Sequence, residues 1–265
     1  MADLAVSAAG ILSLAAVAAG SWRIRATDVG GSVSGFLMGV AIGLAAGWSW
    51  VVFLMAFLVL GTVATRYKYA AKTKIHAAQE KGGARGVTNV VANGGVAAAL
   101  AVLYLLHTDP LVAGMFVAAV ASPAADTMAT EIGVLSRSRP RLITDMSFTQ
   151  AGTSGGITAL GTVVALLTCV LFAALGVVLH ISGYRYAAAG LVGGFVGCNL
   201  DSLFGATLQG TYRCGVCGER TEKGTHCSRE AQKVRGYGFI GNSEVNLLSG
   251  IGAAVLALAL ELVFL

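Results

Sequence analysis

Three acidic side chains, Asp126, Glu131 and Asp201, adjoin or enter long apolar runs. An ionised group inside a transmembrane helix costs about 2.5–3.5 kcal/mol on insertion scales, so a cation, a basic partner or water must offset it. Carboxylates of this kind favour Mg²⁺ held partly through phosphates. The plainer alternative sets each residue just beyond the membrane, in water. Asp126 paired with Glu131, and Asn199 with Asp201, are less easily explained that way. An ideal helix of 3.6 residues per turn separates Asp126 from Glu131 by about 140°, so joint ligation requires the helix to end or bend between them.

Near these acids lie glycine-rich stretches that suit anions. Lys81–Gly95 contains Lys81, Arg85, Asn89 and Asn93, and Gly94-Gly95 is expected to open an apolar helix. Thr153, Ser154, Gly155 and Gly156 repeat the pattern, with the hydroxyls expected to cap the helix that follows. Free N–H groups and the positive dipole end of a helix N-terminus attract phosphate, and glycine lets an oxygen approach the backbone. The rival reading is close helix packing through glycine. The absence of G-x-x-x-x-G-K-[ST] excludes a labelled P-loop. Asp126-Thr127 ends the span returning from the first stretch, and Asp201-Ser202 ends the span returning from the second. The two units run in the same sense, which makes a parallel internal repeat, with chance similarity of short motifs as the alternative. Asn242 and Asn246, at i and i+4, share a helix face and suit either a polar ligand or a neighbouring helix.

A separate cluster, Cys214, Cys217, His226 and Cys227, supplies three thiolates and an imidazole for structural Zn²⁺. A redox pair is the alternative, but the surroundings lack the βαβ setting of such motifs. Cys169 and Cys198 fall inside apolar runs and are expected to be inert. His76, His107 and His180 are expected on the surface, and Glu261 at the outer interface without a chemical role.

The elements that must hold these groups are transmembrane helices. The chain of 265 residues is 56% hydrophobic and 12% charged, with mean hydropathy +0.76. Ordinary soluble domains are about 45–50% apolar and 25% charged. The apolar blocks are continuous, not alternating, which excludes a β-barrel. Thirty-six glycines against three prolines suit closely packed helices. Eight spans are expected: 4–20, 33–47, 49–65, 90–106, 111–125, 157–181, 187–208 and 247–265. The first is read as a span and not a cleaved signal, because its arginines follow it. This is one all-α integral membrane domain over 1–265. Three spans fill 1–65, the repeat units 66–135 and 136–208, a cytoplasmic Cys/His zinc-knuckle loop 209–244, and the last span 245–265. With both termini outside, 17 of the 18 Lys and Arg fall on one face, with Arg185 opposite, so that face is expected to be cytoplasmic in a cell membrane. The net charge of +5 then reflects topology and gives no reason to invoke nucleic acid.

Several stretches carry a resemblance: 81–86 with 92–95, then 125–133, 139–144, 152–156, 200–209 and 242–246. They resemble the DUF ninety-two integral membrane family, which includes the chloroplast phytyl-phosphate kinase. Glu244 stands where the family pattern has Asp. The resemblance implies phosphoryl transfer from a nucleoside triphosphate, CTP in the plant branch, to a phytyl- or geranylgeranyl-type isoprenyl monophosphate. By that reading Asp126, Glu131 and Asp201 hold Mg²⁺. Lys81, Arg85, Arg141 and the two Gly-Gly stretches hold phosphates, beside Asn89, Asn93, Asn199, Ser202, Asn242 and Asn246. The same parts suit a lipid-phosphate cytidylyltransferase making a CDP-lipid. A carrier of an anionic lipid or metabolite needs polar groups toward the midplane and outer side, whereas these cluster at one end. A scaffold docking partners through the knuckle would not need the aspartates. A homo-oligomer is compatible with the composition.

Overall fold

The computed structural model describes residues 2–75, 77, 80–218 and 220–264. The helices are α1 (Ala2–Arg23), α2 (Val29–Ala46), α3 (Trp48–Arg66), the short α4 (Tyr69–Lys74), α5 (Val87–Leu106), α6 (Pro110–Gly133), α7 (Ala159–Val178), α8 (Tyr184–Thr207) and α9 (Asn242–Phe264). All except α4 are long and apolar enough to cross a membrane. The Lys/Arg-rich segments connect them at one end of the bundle, here called the basic end. At the opposite end the turns are short, and Asp109 starts α6 by accepting from the Leu111 N–H at 3.0 Å.

Helix α6 is the axis of the molecule, packing on α3, α5, α7, α8 and α9. Lipid tails are as apolar as leucine, so close packing of small residues must supply much of the adhesion between helices. Along α8, Gly190 lies against Val117, Gly194 against Ala121 and Gly197 against Ser122, while Gly193 meets Ala253 of α9. Both numbers rise together, so α6 and α8 run parallel. An aromatic cluster fills the other side, with Trp50 against Phe116 at 4.3 Å and Phe53 edge-on to Phe172 at 5.2 Å between ring centroids. Helices α5 and α7 each have 20 residues, and α6 and α8 each have 24.

Two expectations about helix starts are corrected. Helix α5 begins at Val87, so Gly94 and Gly95 lie about two turns inside it. Their amides lie in the helical hydrogen-bond ladder, and Gly94 instead gives room to Met38 of α2. Helix α7 begins at Ala159, capped by Thr158, whose Oγ1 accepts from the Gly161 N–H at 3.0 Å. Thr153 and Ser154 therefore do not cap it. Gly155 and Gly156 belong to the preceding loop, where β2 (Gly156–Ile157) pairs with β1 (Arg141–Leu142). The sequence pattern marked these glycines correctly as special but did not distinguish helix packing and loop turns from a helix N-terminus.

Between α8 and α9 the chain leaves the helical bundle. Strand β3 (Thr211–Arg213) pairs with β4 (Arg220–Thr221) and with β7 (Gln232–Arg235). Strands β5 (Thr225–His226) and β6 (Arg229–Glu230) form a hairpin. Its two turn residues, Cys227 and Ser228, have φ of 51° and 57°. Such a turn normally uses Asn-Gly, so a non-glycine pair held there signals a further constraint on Cys227.

Candidate functional site

Asp126 lies seven residues before the end of α6, and Asp201 six before the end of α8. At 1.5 Å per residue both sit about 10 Å inside the basic end of the bundle. Carried one turn further, the register that sets Gly197 against Ser122 brings Asp201 and Asp126 to the same level of α8 and α6. The charge of Asp201 bears on Asp126 across this contact.

Asp201 is buried, and its Oδ2 accepts from the Ser249 hydroxyl at 2.9 Å. The Asn246 amide lies 2.9 Å from the same oxygen and 3.2 Å from the Asn242 carbonyl, so its nitrogen faces these two acceptors. Its oxygen then meets Asn93 Oδ1 at 3.1 Å. Asn93 in turn donates from Nδ2 to the Asn89 carbonyl at 2.8 Å. Two amides therefore bridge two acceptors, and one link always has oxygen against oxygen. Turning either amide only moves the mismatch. A cation against Asp201 and the neighbouring amide oxygen removes it. The donor set, two carboxylates with amide and hydroxyl oxygens, fits a hard divalent ion such as Mg²⁺.

The expected third ligand lies elsewhere. Helix α6 runs through Asp126 to Gly133 without ending, despite Pro123, so Glu131 points to another face. There it is buried and paired with Lys72 of α4 at 2.5 Å, while its other oxygen accepts from Thr65 at 3.0 Å. Lys72 is fully buried and also donates to the Ala64 carbonyl at 2.7 Å. Glu131 is thus corrected from the metal site to a buried ion pair tying α3, α4 and α6. Lys72 was one of several lysines in a basic loop, and only its burial distinguishes it.

Arg85 is held from both sides. Its N–H donates to the Ala26 carbonyl and its carbonyl accepts from the Asp28 N–H, each at 3.0 Å. The guanidinium lies 5.5 Å from the Phe57 ring centroid and passes Gly61, where any Cβ would collide with it. Among the described residues no hydrogen-bond acceptor meets that guanidinium. Burial lowers its pKa, opposed by the charge of Glu131 nearby. Asn89 Oδ1, a turn further on, is buried without a partner. The Lys81 side chain lies outside the described residues.

Other expected positions are separate. Arg141 is exposed, donates to the Met146 carbonyl at 2.8 Å and covers the Phe148 ring. Asn199 donates back to the Phe195 carbonyl at 2.7 Å. Gly155, with φ +79°, lies against the Ser202 carbonyl and Ala206, so its loop rests on the end of α8 beneath Asp201. Glu244 accepts from the Gly241 N–H at 2.8 Å and caps α9. Ser249 escaped the sequence reading, although it extends the Asn242–Asn246 face by one turn. Glu261 is corrected as well: it is buried on α9 against α6 and α8, with neither oxygen hydrogen-bonded among the described residues.

The ligand atoms of Cys214, Cys217, His226 and Cys227 lie within 4.8 Å of one another. The Cys217 and Cys227 sulfurs are each 3.4 Å from His226 Nδ1. Tetrahedral zinc with bonds of about 2.3 Å to sulfur and 2.0 Å to nitrogen sets such edges near 3.6 Å. Hydrogen bonding, first from the Cys217 N–H, brings the Cys214 thiol down to about 6. The Cys217 sulfur pushes Cys227 up to about 11. Thiols that oppose one another's ionisation in this way are what a bound cation relieves. The cluster fits a zinc ion. Its sheet touches the loop below Asp201, where Ser154 donates to Glu222 at 2.7 Å and Arg235 reaches the Ser154 and Gly205 carbonyls.

An eight-helix integral membrane protein with paired carboxylates inside one end defines the class. Residues 12–254 match the family of integral membrane proteins described as DUF92, and the chain belongs to it. An uncharacterized membrane protein of Methanocaldococcus jannaschii is 29% identical over 71% of this chain and 76% of its own length. Protein PGR of Arabidopsis thaliana is 26% identical over 86% of this chain and 87% of its own. The chloroplastic protein VTE6 of the same plant is 24% identical over 70% of this chain and 57% of its own. No solved structure matches the chain.

Proposed function

We propose that the protein is a membrane-embedded kinase that transfers a phosphoryl group from a nucleoside triphosphate to an isoprenyl monophosphate. The single observation that supports this reading is the placing of Asp126 and Asp201 at one level of the α6–α8 contact, with Asp201 linked through Asn246 to Asn93. Phosphoryl transfer needs charge stabilisation and alignment more than covalent chemistry. An acceptor with a hydrocarbon tail also explains a site sunk about 10 Å below the helix ends. The motif resemblance points to the same reaction, with CTP as the donor and a phytyl- or geranylgeranyl-type acceptor.

In this mechanism an oxygen of the acceptor phosphate attacks the γ-phosphorus of the donor. The bond between γ-phosphorus and the β-bridging oxygen breaks, and the products are the isoprenyl diphosphate and the nucleoside diphosphate. Asp126 and Asp201 would hold Mg²⁺, which when bound would neutralise phosphate charge. Asn246 and Ser249 orient the Asp201 carboxylate, and Asn93 fixes Asn246. Arg85 binds the acceptor phosphate. The knuckle sheet holds the Ser154–Gly156 loop against α8, and the zinc is structural. The basic end faces the cytoplasm, where nucleotide is available.

The test uses purified full-length protein with labelled prenyl monophosphate, CTP and Mg²⁺. The expected product is the prenyl diphosphate with CDP. Formation of a CDP-lipid with release of pyrophosphate would instead identify a nucleotidyltransferase. Asp201→Asn is expected to lower turnover at least about a hundredfold, the scale of losing an electrostatic stabiliser of the transition state.

A further inference from the structure

The bundle contains a cavity at the basic half of α1, α2, α3 and the start of α5. It is an open cleft whose enclosed part measures about 80 Å³. Its walls are almost wholly apolar and include Leu14, Val17, Phe36, Met38, Met55 and Leu58. Its polar end is formed by Arg85, Asn89 and Asn93. The other hydroxyls there are already satisfied, since Thr27 lies 2.8 Å from Ser21 and 2.6 Å from Ser32. Asn89 Oδ1 is buried without a hydrogen-bond partner among the described residues, and the Arg85 guanidinium makes only its contact with the Phe57 ring there.

We infer that this cavity is the chamber for the hydrocarbon chain of a single-chain lipid monophosphate whose phosphate is bound by Arg85. The inference rests on the proposed reaction for the identity of the lipid, while the chamber itself rests on geometry. Charge points to an anion. Lys72, buried, and Arg85, half-buried, are two cations near one buried anion, Glu131, and Lys72 already occupies that anion. A guanidinium without an acceptor is best matched by phosphate oxygens, which it can bind in pairs. Position links the chamber to the chemistry, because Asn93 lines it and also touches Asn246, the neighbour of Asp201. The apolar walls on α1–α3 give the three N-terminal helices a task that none of the carboxylates requires.

Gly35 offers a way to fill the chamber without disturbing its walls. A Cβ added there meets only Val90, at 3.9 Å. The probe is a twenty-carbon prenyl monophosphate carrying a photoreactive diazirine near the chain end, used with the full chain in micelles without nucleotide. Labelled peptides from α1, α2 and α3 are expected, competed by unlabelled twenty-carbon prenyl monophosphate and far less by the phosphate-free alcohol. Gly35→Leu is expected to reduce labelling at least about tenfold by steric exclusion while a ten-carbon probe still labels. Met55→Trp is a second blocking variant if Gly35→Leu fails to fold. Labelling of the outer faces of α7 or α9, equal competition by the alcohol, or labelling unchanged by either blocking variant overturns the inference. Chamber labelling without detectable turnover sinks the kinase reading and supports the chamber. Turnover without chamber labelling sinks the chamber alone.

Discussion

Lys72 and Glu131 show how one residue's surroundings decide its role. Both are buried, their charged atoms are 2.5 Å apart, and each has a further bond to α3. Removing one partner from such a pair leaves an uncompensated charge and costs about 3–5 kcal/mol, whereas replacing both with apolar groups is often near neutral. Lys72→Met is therefore expected to lower thermal stability sharply, and Lys72→Met with Glu131→Leu to recover most of it. Thermal unfolding in micelles checks this cycle. The double variant is also expected to keep divalent-ion binding, which separates Glu131 from the metal. Neither outcome was readable from residue types. Glu131 and Asp126 carry similar chemistry five positions apart, and only the continuation of α6 past Ala125 turns them to different faces.

At the scale of elements, the α6–α8 contact sets the distance between the two aspartates. Gly197 lies against Ser122 and Gly194 against Ala121, so a side chain added there wedges the helices apart one to two turns from the site. Gly197→Val is expected to lower turnover about a hundredfold, the scale of a 1 Å misplacement of reacting groups, and to leave bound zinc unchanged. Kinetics with zinc analysis of the same preparation checks it. Much of this element scale was legible in the sequence. Continuous apolar blocks gave eight spans, but Asp126-Thr127 and Asp201-Ser202, read as helix ends, lie about two turns inside α6 and α8. Helix starts were not legible, because glycine serves packing inside α5, a φ-positive turn at Gly155 and true helix ends alike. Glu261 escaped for a related reason: its burial depends on the absence of a side chain at Gly114 on another helix.

For the whole molecule, the three N-terminal helices, the helix pairs α5–α6 and α7–α8, and the knuckle sheet meet at the basic end. The sheet reaches the site through Ser154, Glu222 and Arg235. Cys217→Ser or chelation is expected to release about one zinc per chain, because a structural site requires all four ligands. Proteolysis within 211–235 is then expected to accelerate, since this small segment depends on its metal. Metal analysis with limited proteolysis checks this. The cysteine spacing revealed the cluster, but its docking against α8 depends on contacts far apart in sequence.

The central claim is that Asp126 and Asp201 act together as one divalent-ion site. Mn²⁺ binding to purified, zinc-loaded protein, followed by electron paramagnetic resonance, tests it most directly. The account predicts a bound Mn²⁺ signal that Mg²⁺ displaces, that Asp126→Asn and Asp201→Asn each abolish, and that Glu131→Gln retains in folded protein. Binding that survives either aspartate substitution, or that Glu131→Gln removes from folded protein, would contradict it.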